Sequence, residues 1–177
     1  MRLVAFIRAV MVGREGLHRQ VILDTFRKAG ATDPVSHLAT GNVSFDLDPT
    51  RIDDLAAKVE DAMTEVVGRD IEVFIRTLDA LEAVDAEAIY ATAPFEPLHR
   101  LVTYFNEPPA FGSAEIPGLI QKGRTAVLAI DGLDVYSVAR ELDGQIGAPG
   151  GILEKLSGQR VTTRAWSTVQ KIIDKNS

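Results

Sequence analysis

Hydrophobic periodicity changes along this chain in a repeating order. A two-residue alternation, a helical stretch, two alternating runs, a second helical stretch and a closing alternation run from Leu3 to Arg76, and the same order returns from Leu101 to Thr163. A βαββαβ unit of this kind folds into a four-stranded sheet with both helices on one face. One duplication therefore accounts for most of the 177 residues. The expected organisation is a first half over 1–76, a connecting helix and linker over 77–100, and a second half with a C-terminal helix over 101–177.

In the first half, Leu3, Ala5 and Ile7 alternate with Val4, Phe6 and Arg8, and Ile71, Val73 and Ile75 alternate with Glu72, Phe74 and Arg76. Alternation assigns the first set of each strand to the helix side and leaves Phe6, Arg8, Phe74 and Arg76 on the other face. Leu17, Val21, Ile22, Phe26 and Ala29 fall on one helical side before Gly30. Strands Val35–Thr40 and Val43–Phe45 flank a Gly41-Asn42 turn. A helix over Ile52–Val67 is expected behind a Thr50 cap. Thr77 opens a connecting helix through Leu78, Leu81 and Val84, which Ala93–Pro97 interrupts.

The second half reads as a strand at Leu101–Asn106, a short helix near Ser113–Gln121 and a hairpin of Thr125–Ile130 with Leu133–Val138 around Asp131-Gly132. A helix around Ile152–Leu156, a strand at Arg160–Thr163 and a final helix carrying Trp166, Val169, Ile172 and Ile173 complete it.

Composition excludes more than it selects. A net charge of −6 disfavours nucleic acid and anionic membranes as partners. The absence of cysteine removes disulfides and thiolate chemistry and fits a cytoplasmic setting. Arg8 interrupts the first apolar run, so that run reads as a buried strand rather than a leader segment, and no other run reaches membrane-spanning length. His18, His37 and His99 lack metal-ligand spacing, and no metal is expected. The loop containing Gly13 and Gly16 is neither a Walker loop nor a dinucleotide fingerprint, so no cofactor is expected. The RNA-recognition domain shares the βαββαβ order and stacks bases on its sheet aromatics. Phe45, however, groups with Val43 on the core face, and Phe6 and Phe45 read as packing residues.

Chemistry concentrates in two places. Thr162-Thr163-Arg164-Ala165-Trp166-Ser167-Thr168 runs from a strand end into a helix start, where unpaired N–H groups, hydroxyls and a solvent-facing guanidinium suit a phosphate or carboxylate. The structural alternative is that Thr163 caps the helix and Trp166 fills the core, which predicts a largely buried Trp166. The loop after the first strand offers Arg8, Gly13, Arg14, Gly16, His18 and Arg19, with the ordinary alternative of a simple turn.

Three segments together resemble the bacterial domain-of-unknown-function family 1697: Phe6-Ile7-Arg8-Ala9-Val10-Met11-Val12-Gly13, Thr40-Gly41-Asn42-Val43-Ser44-Phe45 and Thr162–Thr168. The resemblance implies tandem ferredoxin-like halves with no established activity. The chain departs from the pattern that the resemblance implies, in which glycine usually stands in place of Ala9 and of Arg14 and asparagine in place of Ala165. The combined expectation is an α+β protein of two ferredoxin-like halves holding an anionic small molecule at Arg8, Gly13, Gly41, Asn42, Thr163, Arg164, Trp166 and Thr168. The competing readings are a structural module that forms a homo-dimer without ligand and a weak nucleic-acid binder; no catalytic residue can be named.

Overall fold

The structure is a computed structural model and describes residues 1–112, 115–116 and 118–177. It is an α+β protein that divides into two compact units, Met1–Ala83 with Ile172–Ser177, and Val84–Lys171.

The first unit contains β1 (Arg2–Ile7), α1 (Arg19–Ala29), β2 (Thr32–His37), β3 (Asn42–Asp46), α2 (Ile52–Val67), β4 (Val73–Thr77) and α3 (Leu78–Glu82). Its four strands form an antiparallel sheet in the order β2-β3-β1-β4. Leu3, Ala5, Ile7, Val43, Phe45 and Val73 share a core with Leu17, Ile22 and Phe26 from the α1 side and Leu55, Val59 and Met63 from α2. The face assigned by alternation is therefore the helix-packed one. The opposite face is not open, because Val4, Phe6 and Phe74 are all fully buried. A strand buried on both faces explains why β1 is apolar at every position from Leu3 to Ile7.

Two local expectations change. The hairpin turn is Leu38–Gly41, with positive φ at Leu38 and Gly41, and Asn42 is the first residue of β3, paired with His37. Thr50 does not cap α2: it lies inside a 3-10 turn over Pro49–Arg51 that leads into the helix, the Asp48 carboxylate caps that turn by accepting from the Thr50 N–H at 2.9 Å, and Arg51, just before α2, makes no side-chain cap. Sequence could not separate these because Asp and Thr are both good caps. Downstream, Thr77 caps α3 as expected, accepting from the Ala80 N–H at 3.1 Å.

The second unit contains α4 (Ala86–Ala91), β5 (His99–Tyr104), β6 (Thr125–Asp131), β7 (Asp134–Ala139), a small hairpin of β8 (Glu141–Leu142) and β9 (Gln145–Ile146), α5 (Pro149–Ser157) and β10 (Thr162–Ala165). Its four-stranded sheet has the order β10-β5-β7-β6, so each unit, counted along its own chain, places its strands fourth, first, third, second. The connecting helix is two helices: Val84 lies outside α3, and the Asp85 side chain starts α4 by accepting from the Ala88 N–H. The β6–β7 turn is Gly132-Leu133, because Asp131 already pairs with Asp134. The expected helix at Ser113–Gln121 includes Ser113, Ala114 and Pro117, which lie outside the described residues; its far end is a turn in which Gln121 and Lys122 have positive φ. The β8–β9 hairpin was unforeseen, although Asp143-Gly144, both at positive φ, is the same turn signal used one hairpin earlier.

Phe105, Val135, Leu153 and Val161 form the core between this sheet and α5. Tyr90 of α4, Tyr136 of β7 and Trp166 pack as an aromatic triangle with centroids 6.2–6.4 Å apart. The last helix, α6 (Trp166–Asn176), starts in the second unit, and its final residues count with the first. Among the described residues no helix is long and apolar enough to cross a membrane.

Candidate functional site

The expected site residues fall in two places. Arg8, Gly13, Gly41 and Asn42 belong to the first unit, and Thr163, Arg164, Trp166 and Thr168 to the second.

In the first unit the loop after β1 is laced to its surroundings by its own backbone. The Ile7 N–H donates to the Gly41 carbonyl at 2.8 Å, Arg8 N–H to Glu72 at 2.9 Å, Val12 N–H to Ala39 at 2.8 Å and Gly13 N–H to Leu17 at 2.9 Å. Arg69 adds a guanidinium hydrogen bond to the Ala9 carbonyl at 2.6 Å and an ion pair with Glu15 at 2.9 Å. Gly41 has φ +66°, and a Cβ there would stand 3.2 Å from the Ile7 side chain and 3.3 Å from that of Val10, so the motif glycine permits close approach of two backbones. Asn42 is fully buried and donates to the His37 carbonyl at 3.2 Å and the Thr40 hydroxyl at 3.0 Å. Its amide braces the turn. Ala9 sits at φ +53°, a conformation that costs an alanine but not a glycine, the residue that the resemblance implies at this position.

In the second unit the β10–α6 junction is organised differently. Arg164 does not face solvent: it is 8% exposed, and its guanidinium donates to the Thr162 hydroxyl at 2.7 Å and the Thr163 carbonyl at 3.0 Å. Register explains this, since Arg164 lies opposite Val102 and shares a sheet face with Tyr104. Burial lowers its pKa to about 10, and it remains a cation at neutral pH. Thr163 points to the other face, with its hydroxyl 2.9 Å from that of Thr103. Trp166 is 7% exposed and packs on Tyr90 and Tyr136, as the core reading predicts. Thr168 is half-buried.

A cleft of about 400 Å³ opens at this junction, lined by Ala165, Trp166, Ser167 and Gln170 from the α6 start and by Leu98, His99, Arg100 and Glu87. Arg100 pairs with Glu87 at 3.0 Å, both exposed, and lies 5.6 Å from the Tyr90 ring centroid. Ala165 immediately precedes α6 and carries no oxygen with which to cap it. Arg100 escaped the sequence reading because its relevance depends on β5 pairing with β10, where Leu101 lies opposite Ala165. No local pattern announces that pairing.

A third polar cluster also went unread. His37, 3% exposed, shares a 2.8 Å hydrogen bond with Ser44, whose hydroxyl accepts from Arg2 at 2.9 Å. Burial first, then the nearby cations Lys175, Arg2 and Arg19, push the His37 imidazole down to about 4. Among the described residues no three His, Asp or Glu side chains come together to hold a metal ion.

The family model described as Protein of unknown function (DUF1697) matches residues 1–136. The chain belongs to this family. Two of the three segments that carry the resemblance, Phe6–Gly13 and Thr40–Phe45, lie inside the matched residues, and Thr162–Thr168 lies beyond them. No curated protein matches the chain. Among solved structures it is similar to the conserved bacterial protein SP0830 from Streptococcus pneumoniae, with a TM-score of 0.61 and 13% identity over 98% of this chain and 97% of that one. At this identity the likeness speaks to fold alone.

Proposed function

We propose that this DUF1697 member is a cytoplasmic binding protein of two ferredoxin-like units, which takes a small phosphate- or carboxylate-bearing molecule at the start of α6. The strand order common to both sheets supports the duplication. The observation that carries the ligand reading is the cleft in which Arg100, His99, Ser167 and Gln170 surround a helix start that Ala165 leaves without a side-chain cap. A helix N-terminus with a flanking guanidinium and hydroxyl favours an anion. Arg100 supplies the charge in this reading, and the buried Arg164 holds the junction in shape. The Glu87 carboxylate now beside Arg100 is exposed and would be displaced by the anion.

Thermal scans with inorganic phosphate at constant ionic strength test this directly. A ligand at 100 times its dissociation constant stabilises the native state by about 2.7 kcal/mol, so a saturable rise in Tm is expected. Arg100→Gln should abolish it with little effect on the ligand-free protein, because exposed ion pairs contribute about 0–1 kcal/mol. Glu87→Gln should strengthen it by freeing Arg100. No shift across phosphate, carboxylates and nucleotides, or a shift that survives Arg100→Gln, overturns the proposal.

A further inference from the structure

The cluster at His37 belongs to the first unit and has a different logic from the α6 start. His37 of β2, Ser44 of β3 and Arg2 of β1 form a hydrogen-bonded chain, and Arg2 extends it by donating from Nε to the Asn176 side chain at 2.9 Å. Asn176 in turn donates to the Ile172 carbonyl within the last turns of α6. Ile172 and Ile173 are buried, and the Ser177 hydroxyl bonds Glu82 at 2.9 Å. The end of α6 is thus attached to the first unit partly through the partners of a buried imidazole.

We infer that His37 is an acid-sensitive latch, whose protonation releases the Ile172–Ser177 end of α6 from the first unit. The charged groups that act on His37 are Lys175 on α6, Arg2 on β1 and Arg19 at the start of α1. Asp46 is engaged by Arg2 at 3.0 Å. A proton on His37 therefore adds a cation to a buried position that already faces three. Arg2 is held by Asp46 and Ser44, and Arg19 by a 2.7 Å hydrogen bond to the Ser36 carbonyl. Lys175 sits on the terminal turn of a helix, and moving that turn away both separates the charges and admits water to the imidazole.

The sign follows from linkage. The folded-state pKa lies below the ordinary value of 6.5, at about 4, so the released form binds the proton more tightly. Stability of the latched form is complete above pH 6.5 and is lost as pH falls through 4, with the released population rising by up to about 300-fold.

Amide hydrogen exchange on the full chain, expressed as protection factors from about pH 7 to about pH 4.5, tests the latch. Protection at Ile172 and Ile173 should fall by at least about tenfold while that of Leu55, Val59 and Met63 in α2 persists. His37→Asn, which keeps a polar group but cannot titrate, should flatten the profile. His37→Lys should show the released end at neutral pH, and if that variant fails to fold, the His37→Asn profile alone decides. The latch is overturned if Ile172 and Ile173 lose protection equally in His37→Asn, which would assign the effect to Asp46 or Glu82, or if they lose it only together with α2.

Discussion

The segment from the end of β1 to Gly13 ties backbone N–H groups to the carbonyls of Gly41, Glu72, Ala39 and Leu17, whereas the junction into α6 places Ser167, His99 and Arg100 around a cleft. Both read from sequence as places where an anion could sit. The difference is where the hydrogen-bonding capacity goes. In the first, the Ile7, Arg8, Val12 and Gly13 N–H groups all have carbonyl partners, and Asn42 is consumed in bracing the turn. In the second, the arginine of the motif is consumed in the same way, but a neighbouring strand contributes another guanidinium at the surface. A motif can thus mark the frame of a site while a residue outside it carries the charge.

The largest expected effect separates frame from surface at the second region. Trp166→Ala removes a nearly buried ring from the Tyr90–Tyr136 triangle and should cost about 3–5 kcal/mol in urea unfolding. A loss below about 1 kcal/mol would mean that the indole is a docking surface rather than a support. At the first region, Gly41→Ala adds a Cβ at φ +66° against Ile7 and Val10 and should cost about 1–2 kcal/mol. If it is neutral, the hairpin and the β1 loop are not clamped as described, and the contrast between the two regions disappears.

Two smaller substitutions should act in the opposite direction. Ala165→Asn supplies the missing cap oxygen to α6 and should stabilise by about 1 kcal/mol, while weakening the phosphate-induced Tm rise because the cap occupies the same N–H groups. Stabilisation with an undiminished phosphate response would separate the ligand from the helix start. Ala9→Gly relieves a positive φ in a loop already tied by hydrogen bonds, and a gain of at most about 1 kcal/mol is expected, offset in part by the entropy of the unfolded chain. A clear destabilisation would show that the loop tolerates this conformation without strain.

Helices and strands were legible wherever a local rule sufficed. The apolar stripe of α2 and the glycine ending α1 needed no partner to be recognised, and alternation assigned Leu3, Ala5 and Ile7 to the helix face. Turn boundaries were displaced where two residues compete for one role, as with Asp48 and Thr50, or where pairing absorbs a residue of the turn, as with Asn42 and Asp131.

What the sequence determined by itself is the order of elements in the first half, the helix-packed faces of β1 and β4 and the positive φ of Gly41, because periodicity and backbone preference act within a few residues. Tertiary structure alone decided that Arg164 is buried, that Arg100 stands at the cleft and that His37, Ser44, Arg2 and Asn176 form one chain of hydrogen bonds. Each of these depends on which strands are neighbours and in what register. That pairing is fixed by the burial of whole faces against helices, a cooperative outcome that no single segment encodes.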